Sequence, residues 1–167
     1  MLIIVCDTQI QPICLPYKLL DDNFTGATAV TGGWGSRSED GPPSKVLRRV
    51  DLPVLSAHQI RDYTREIVTD NMIGTMMAGR DACSGDLGQL NLQFVNNEVL
   101  CTDLNTVFCI CAYSGGTLDF FDSESGRYQA IGIASHGDGC ARVNSPRIYT
   151  KMTNYLEYIH GTTSTQI

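Results

Sequence analysis

Positive charge is scarce in this chain: 12 Lys and Arg stand against 18 Asp and Glu, for a net charge of −6. Neutralising nucleic-acid phosphates takes clustered Lys and Arg, so a nucleic-acid partner is excluded. Long apolar runs are missing as well. No stretch approaches the roughly 20 residues of a membrane-spanning helix, and no membrane partner is expected. Met1 to Val5 is apolar but lacks a basic flank and falls short of the roughly 7 to 15 residues of a secretory h-region, so the sequence as written carries no signal peptide. There is no internal repeat and no low-complexity tract. Histidine is limited to His58, His136 and His160. The pair Cys109-x-Cys111 is spaced more tightly than structural zinc ligands, so neither a metal nor a cofactor is expected.

What remains is a chain with a substantial apolar fraction. At 167 residues and 43% hydrophobic, it is long enough for one domain, residues 1–167, with a real core. Short β-type segments alternate with Gly, Pro and Asp clusters, which reads as an antiparallel sandwich or barrel rather than alternating βαβ units. The best strands are Val46 to Leu55, Arg127 to Ser135 and Ile148 to Met152, with Pro53 confining the end of the first to an edge. Ser56-Ala57-His58-Gln59 has capping-box spacing. Thr153 can cap a C-terminal helix over 153–161, in which Tyr155 and Ile159 share a face and Gly161 is the stop. On this reading His58 is an exposed residue of a capped turn and His160 a cation at a helix end.

Seven cysteines is an odd number, so at least one is unpaired within a monomer. Asn23-Phe24-Thr25 is a glycosylation sequon, which has meaning only in a secreted protein. With no export signal beside it, the start reads as truncated.

The motifs are more specific. Asp81-Ala82-Cys83-Ser84-Gly85-Asp86 is followed, after residues 87–113, by Ser114-Gly115-Gly116-Thr117-Leu118. Rejoined, these pieces read DACSGD-SGGTL and resemble the segment around the nucleophilic serine of trypsin-like, chymotrypsin-fold serine proteases. The flanks agree in order. Ile10 to Pro16 resembles the linker between that family's two barrels, and Val30-Thr31-Gly32-Gly33-Trp34-Gly35 its VTGWG strand with one extra glycine. Leu52 to Ser56 resembles LPVLS, and Asn71-Met72-Ile73 with Ala78-Gly79 resembles NMICAG. Gly132 to Ala141 resembles GIVSWGxGCA, and Pro146 to Lys151 with Tyr155 to Ile159 resembles PGVYTKV and the closing helix.

The resemblance implies an all-β, antiparallel Greek-key β-barrel, the second barrel of that fold, with a C-terminal helix and residues 1–16 as a remnant of the linker. It implies a secreted, extracellular endopeptidase cleaving peptide bonds after Arg or Lys, with peptide or protein substrates and protease inhibitors as partners. Ser114 is the implied nucleophile, and the N–H groups of Gly85 and Ser114 the oxyanion donors. Asp81 is the implied base of the specificity pocket, Ser135 and Gly137 its wall and substrate-backbone positions, and Asp86 the partner of a zymogen-derived N-terminus. Cys83 and Cys140 are an implied disulfide. Cys14 matches a cysteine whose partner lies in a segment before this sequence, while Cys6, Cys101, Cys109 and Cys111 receive no assignment. The family's cysteines near Ile60 and at Gly74 are lost together.

Such chemistry also needs a histidine to take the serine proton and a carboxylate to orient it. None of the three histidines stands in the family's TAAHC-like context, and His136 occupies the place of the tryptophan in SWG. The chain as given is therefore expected to be catalytically inactive, either as a truncated or mis-spliced relative or as a noncatalytic binding homologue. Arg147 replaces a small residue that keeps the pocket open. It either reaches toward Asp81 and fills that space, or points to solvent and narrows the pocket. Residues 87–113, apolar and without Lys or Arg, read as a retained in-frame intron or an inserted binding loop.

Overall fold

The computed structural model describes residues 13–35, 42–77, 115–137 and 142–164, together with the backbone of 94–95 and 98–99. The elements in chain order are β1 (Thr28–Gly33), β2 (Arg48–Leu55), α1 (Ala57–Arg61), β3 (Met72–Thr75), β4 (Phe94–Val95), β5 (Glu98–Val99), β6 (Thr117–Asp122), β7 (Arg127–His136) and β8 (Arg147–Lys151). A 3₁₀ turn at Met152–Tyr155 leads into α2 (Leu156–Ser164).

Six strands close a barrel in the order β1-β2-β3-β8-β7-β6, with every pairing antiparallel. Closure runs through Ala29↔Phe120 and Val30↔Asp119. The chain completes the β1-β2-β3 meander, then crosses to the far side of β1 to lay down β6, β7 and β8. That crossover gives the Greek-key barrel with a short C-terminal helix which the resemblance implied. β4 and β5 pair only with each other, within the stretch read as an insertion.

The core is formed by Ala29, Val54, Ile73, Leu118, Ile131, Ala134 and Tyr149 of the strands, with Phe24 from the loop before β1. Phe24 is a bulky residue at φ 56°, a left-handed conformation costing about 1–2 kcal/mol. It is 2% exposed, tilts against Phe120 at 5.5 Å, and its N–H donates to Asp22 Oδ1 at 2.7 Å. Burying the ring contributes about 1.5–3 kcal/mol and offsets the strain. A second cluster of Ile60, Val68 and Ile148 packs α1 against the barrel wall.

The capping box at α1 forms as read: Gln59 N–H donates to Ser56 Oγ at 3.3 Å, and Ser56 N–H donates to Gln59 Oε1 at 3.0 Å. Pro53 sits opposite Thr28, while Val54 N–H and C=O both bond toward the β1 side. The missing N–H of Pro53 therefore faces the side on which β3 pairing begins only at Val54. It is a local edge in a closed barrel. The C-terminal reading needs correction: Gly161 lies inside α2 and does not stop it, and His160 stands in the body of the helix rather than at its end. Thr162 and Thr163 donate hydroxyl bonds back to Tyr158 and Ile159 carbonyls, extending the helix past the glycine.

Candidate functional site

The end of β7 carries Ser135 and His136, followed by Gly137; the resemblance implied Ser135 and Gly137 as pocket residues. The pairing of β7 with β8 slips in register between Ala134 and His136, so Ser135 sits at a bulge. This bulge turns Ser135 and His136 toward each other. Ser135 Oγ lies 3.0 Å from His136 Nδ1, and His136 Nε2 lies 2.8 Å from Glu66 Oε2. Glu66 arrives from the loop after α1, where its N–H donates to Thr64 Oγ1 at 3.1 Å. A cleft of about 230 Å³ opens beside these groups, lined in part by Tyr63, Glu66, His136, Gly137, Arg142 and Pro146.

Arg147, the first residue of β8, falls between Pro146 and Ile148, which both line this cleft. It is 1% exposed, which excludes the alternative in which it points to solvent. Its Nη1 donates to Gly137 O at 3.4 Å. A Cβ built on Gly137 would meet Arg147 Nη1 at 3.0 Å and Cζ at 3.2 Å, so the guanidinium packs directly on the glycine backbone. A buried guanidinium is tolerated only where acceptors or anions surround it.

The resemblance put two lost cysteines near Ile60 and at Gly74, and in the structure Ile60 packs on Gly74. A Cβ on Gly74 would stand 2.9 Å from Ile60 Cδ1 and 3.0 Å from Arg147 O. Ile60 is fully buried. The large side chain at one position thus fills the space left by having none at the other, and α1 stays pinned to β3 by packing.

Ser135 lies in β7 and Gly137 directly follows it, with Arg147 beside Gly137. Asp81, Cys83, Gly85, Asp86, Ser114 and Cys140 lie outside the described residues, as do Cys6, Cys101, Cys109 and Cys111. Cys14 is half-buried with a free thiol; its carbonyl accepts from Ala130 N–H at 2.9 Å and ties the incoming chain to β7. His58 is exposed on α1, as expected. Sequence reasoning missed Glu66. It belongs to no motif and meets His136 only because β3 and β8 bring the loop after α1 alongside the end of β7. Among the described residues no cluster of three His, Cys, Asp or Glu is arranged to hold a metal, and no helix is long and apolar enough to cross a membrane.

With this geometry in place, comparison with known proteins becomes informative. A sequence-family profile described as Trypsin matches residues 4–90, just over half of the chain. The chain belongs to the trypsin family of serine proteases. Among curated relatives of this family, the proclotting enzyme of Tachypleus tridentatus is 32% identical over 156 residues, covering 90% of this chain and 34% of that protein. Trypsin-1 of Astacus astacus is 31% identical over 156 residues, covering 92% of this chain and 52% of that protein. A venom serine protease of Polistes dominula is 28% identical, covering 93% and 46% respectively. The trypsin-family chain thus spans about a third to a half of the length of the relatives it matches. Within that span, the closed antiparallel barrel is the part that its family membership explains.

Proposed function

We propose that this chain is the second-barrel portion of a secreted trypsin-like endopeptidase lineage whose specificity pocket is filled from within by Arg147, so that the chain does not itself hydrolyse peptides. The observation carrying this reading is the burial of the Arg147 guanidinium on the backbone of Gly137. Asp81 is the pocket carboxylate that would otherwise pair with a substrate Arg or Lys, and an internal guanidinium supplies the same bidentate chemistry without a substrate. Ser135 and Gly137 form the wall against which the guanidinium rests, and Cys83–Cys140 is the disulfide that ties that wall to the serine loop.

Catalysis fails for a second reason. Ser114 is the family nucleophile and Gly85 and Ser114 the oxyanion donors, but residues 87–113 separate groups that must lie nearly adjacent. In comparable enzymes, losing the serine or histidine alone costs about 10⁶-fold in turnover. The same burial of Arg147 favours a noncatalytic binding role, in which the retained barrel holds a peptide, protein or inhibitor ligand by its surface rather than by a basic side chain in the pocket. The extracellular setting is supported by the sequon and by relatives named for clotting and venom.

The test is hydrolysis of fluorogenic peptides ending in Arg or Lys by the purified chain. No turnover above buffer is expected. Hydrolysis that is abolished by changing Ser114→Ala would overturn the proposal.

A further inference from the structure

We propose that Ser135, His136 and Glu66 form a nucleophile–base–carboxylate relay, separate from the serine of the family motif, that reacts with activated acyl and phosphonyl compounds. The proposal rests on which atoms can donate. An ionised carboxylate only accepts, so the 2.8 Å contact between Glu66 Oε2 and His136 Nε2 places the proton of a neutral imidazole on Nε2. The Nδ1 lone pair is then exposed to Ser135 Oγ at 3.0 Å, and the hydroxyl donates to it. A hydroxyl hydrogen-bonded to an imidazole whose tautomer is fixed by a carboxylate is the arrangement that activates a serine.

Four further features suit reactivity. The bulge at Ser135 is what aligns the hydroxyl with its own neighbour's ring, since consecutive residues of a regular strand face opposite ways. Glu66 is held by its N–H bond to Thr64 Oγ1. His136 and Glu66 line a cleft of about 230 Å³ with room for a small acyl group, and Ser135 is exposed next to His136. The side chains of His136 and Glu66 are 42% and 52% exposed, so small solutes reach them.

In the first step, Ser135 Oγ bonds to the ester carbonyl carbon as its proton moves to His136 Nδ1. The carbon–oxygen bond to the phenol then breaks, and Nδ1–H returns its proton to the departing oxygen. In the second step, water adds to the acyl-serine, giving its proton to Nδ1, and the carboxylic acid leaves with the serine restored. Preorganised backbone donors typically supply 10²–10³-fold in such reactions. At this exposed site substrates are confined to those with good leaving groups, and peptides are excluded.

The experiment exposes the folded full chain to a fluorophosphonate and to p-nitrophenyl acetate, and maps the adduct by tandem mass spectrometry. We expect adduct at Ser135, absent in S135A and absent in the heat-unfolded chain. E66Q should label at least about tenfold more slowly, because the amide N–H can donate to Nε2 and drive the proton onto Nδ1, where it blocks the serine. Melting curves of each variant confirm that it is folded. Adduct confined to Ser114, no adduct at all, or labelling of Ser135 unaffected by E66Q would each overturn the relay. None of these outcomes depends on whether Arg147 fills the specificity pocket.

Discussion

Single residues in this barrel titrate and pack in ways that make the account testable. Burial pushes the Asp119 carboxyl above its ordinary value, with a hydrogen bond from Thr117 opposing only in part. Since the folded-state pKa is raised, that position is best tolerated below about pH 3.8 and loses stability as pH rises through the folded value. D119N is therefore expected to raise the melting temperature at neutral pH, with the gain disappearing in acid. Asp122 runs the other way. Its carboxyl is lowered mainly by the Ser125 hydroxyl at 2.6 Å, and also by backbone N–H groups of Glu124 and Ser125 and by Gln129 Nε2 at 2.7 Å. Its contribution is present above the ordinary carboxylate range and is lost as pH falls through the lowered value. D122N should therefore melt earlier than the parent at neutral pH and converge with it in acid. Gly74 makes a packing prediction: G74A drives a methyl into Ile60 Cδ1 and should cost roughly 1–3 kcal/mol in denaturant unfolding. These residues were not equally legible. The loss of cysteines near Ile60 and at Gly74 could be read from motifs, but the burial of Asp119 depends on a strand pairing that no local pattern encodes.

At the scale of elements, the strands and the first helix followed from local rules. The alternation and β-branched content of β7 and β8 placed them within a residue or two, and the Ser56–Gln59 box set α1. S56A should remove that cap and cost about 1 kcal/mol, read from the shift in thermal unfolding. The end of α2 was misread because a glycine is a strong stop only when the chain can exploit its left-handed conformation. Here Thr162 and Thr163 bond back to the preceding turn instead. The loop before β1 carries another element-level prediction. Asn23 is exposed in a turn whose Oδ1 accepts from Thr25 N–H at 2.9 Å, while Phe24 is anchored in the core. Secretion of the chain from eukaryotic cells should yield a glycan at Asn23 that is removed by glycosidase and absent in N23Q. The bulge at Ser135 was invisible in sequence, since a bulge is a property of two strands in register. So was the approach of Glu66 to His136, which lies 70 positions away along the chain.

For the whole molecule, membership of the trypsin family explains a closed Greek-key barrel with its own core in a chain spanning a third to a half of its relatives. What it does not by itself determine is whether the pocket of that barrel is open. The sequence left two orientations for Arg147, because a guanidinium at the start of a strand can as easily face water as protein. The structure buries it on Gly137. On the function proposed above, the barrel retains its family's architecture while Arg147 takes the place where a basic side chain of a substrate would bind. The most direct measurement is titration of the chain and of R147G with benzamidine, a small amidinium that mimics an Arg or Lys side chain, followed by calorimetry with melting curves as the check on folding. The account predicts no binding to the parent chain at millimolar concentration and saturable binding to folded R147G. Equal binding to both would show that the pocket is open and contradict it.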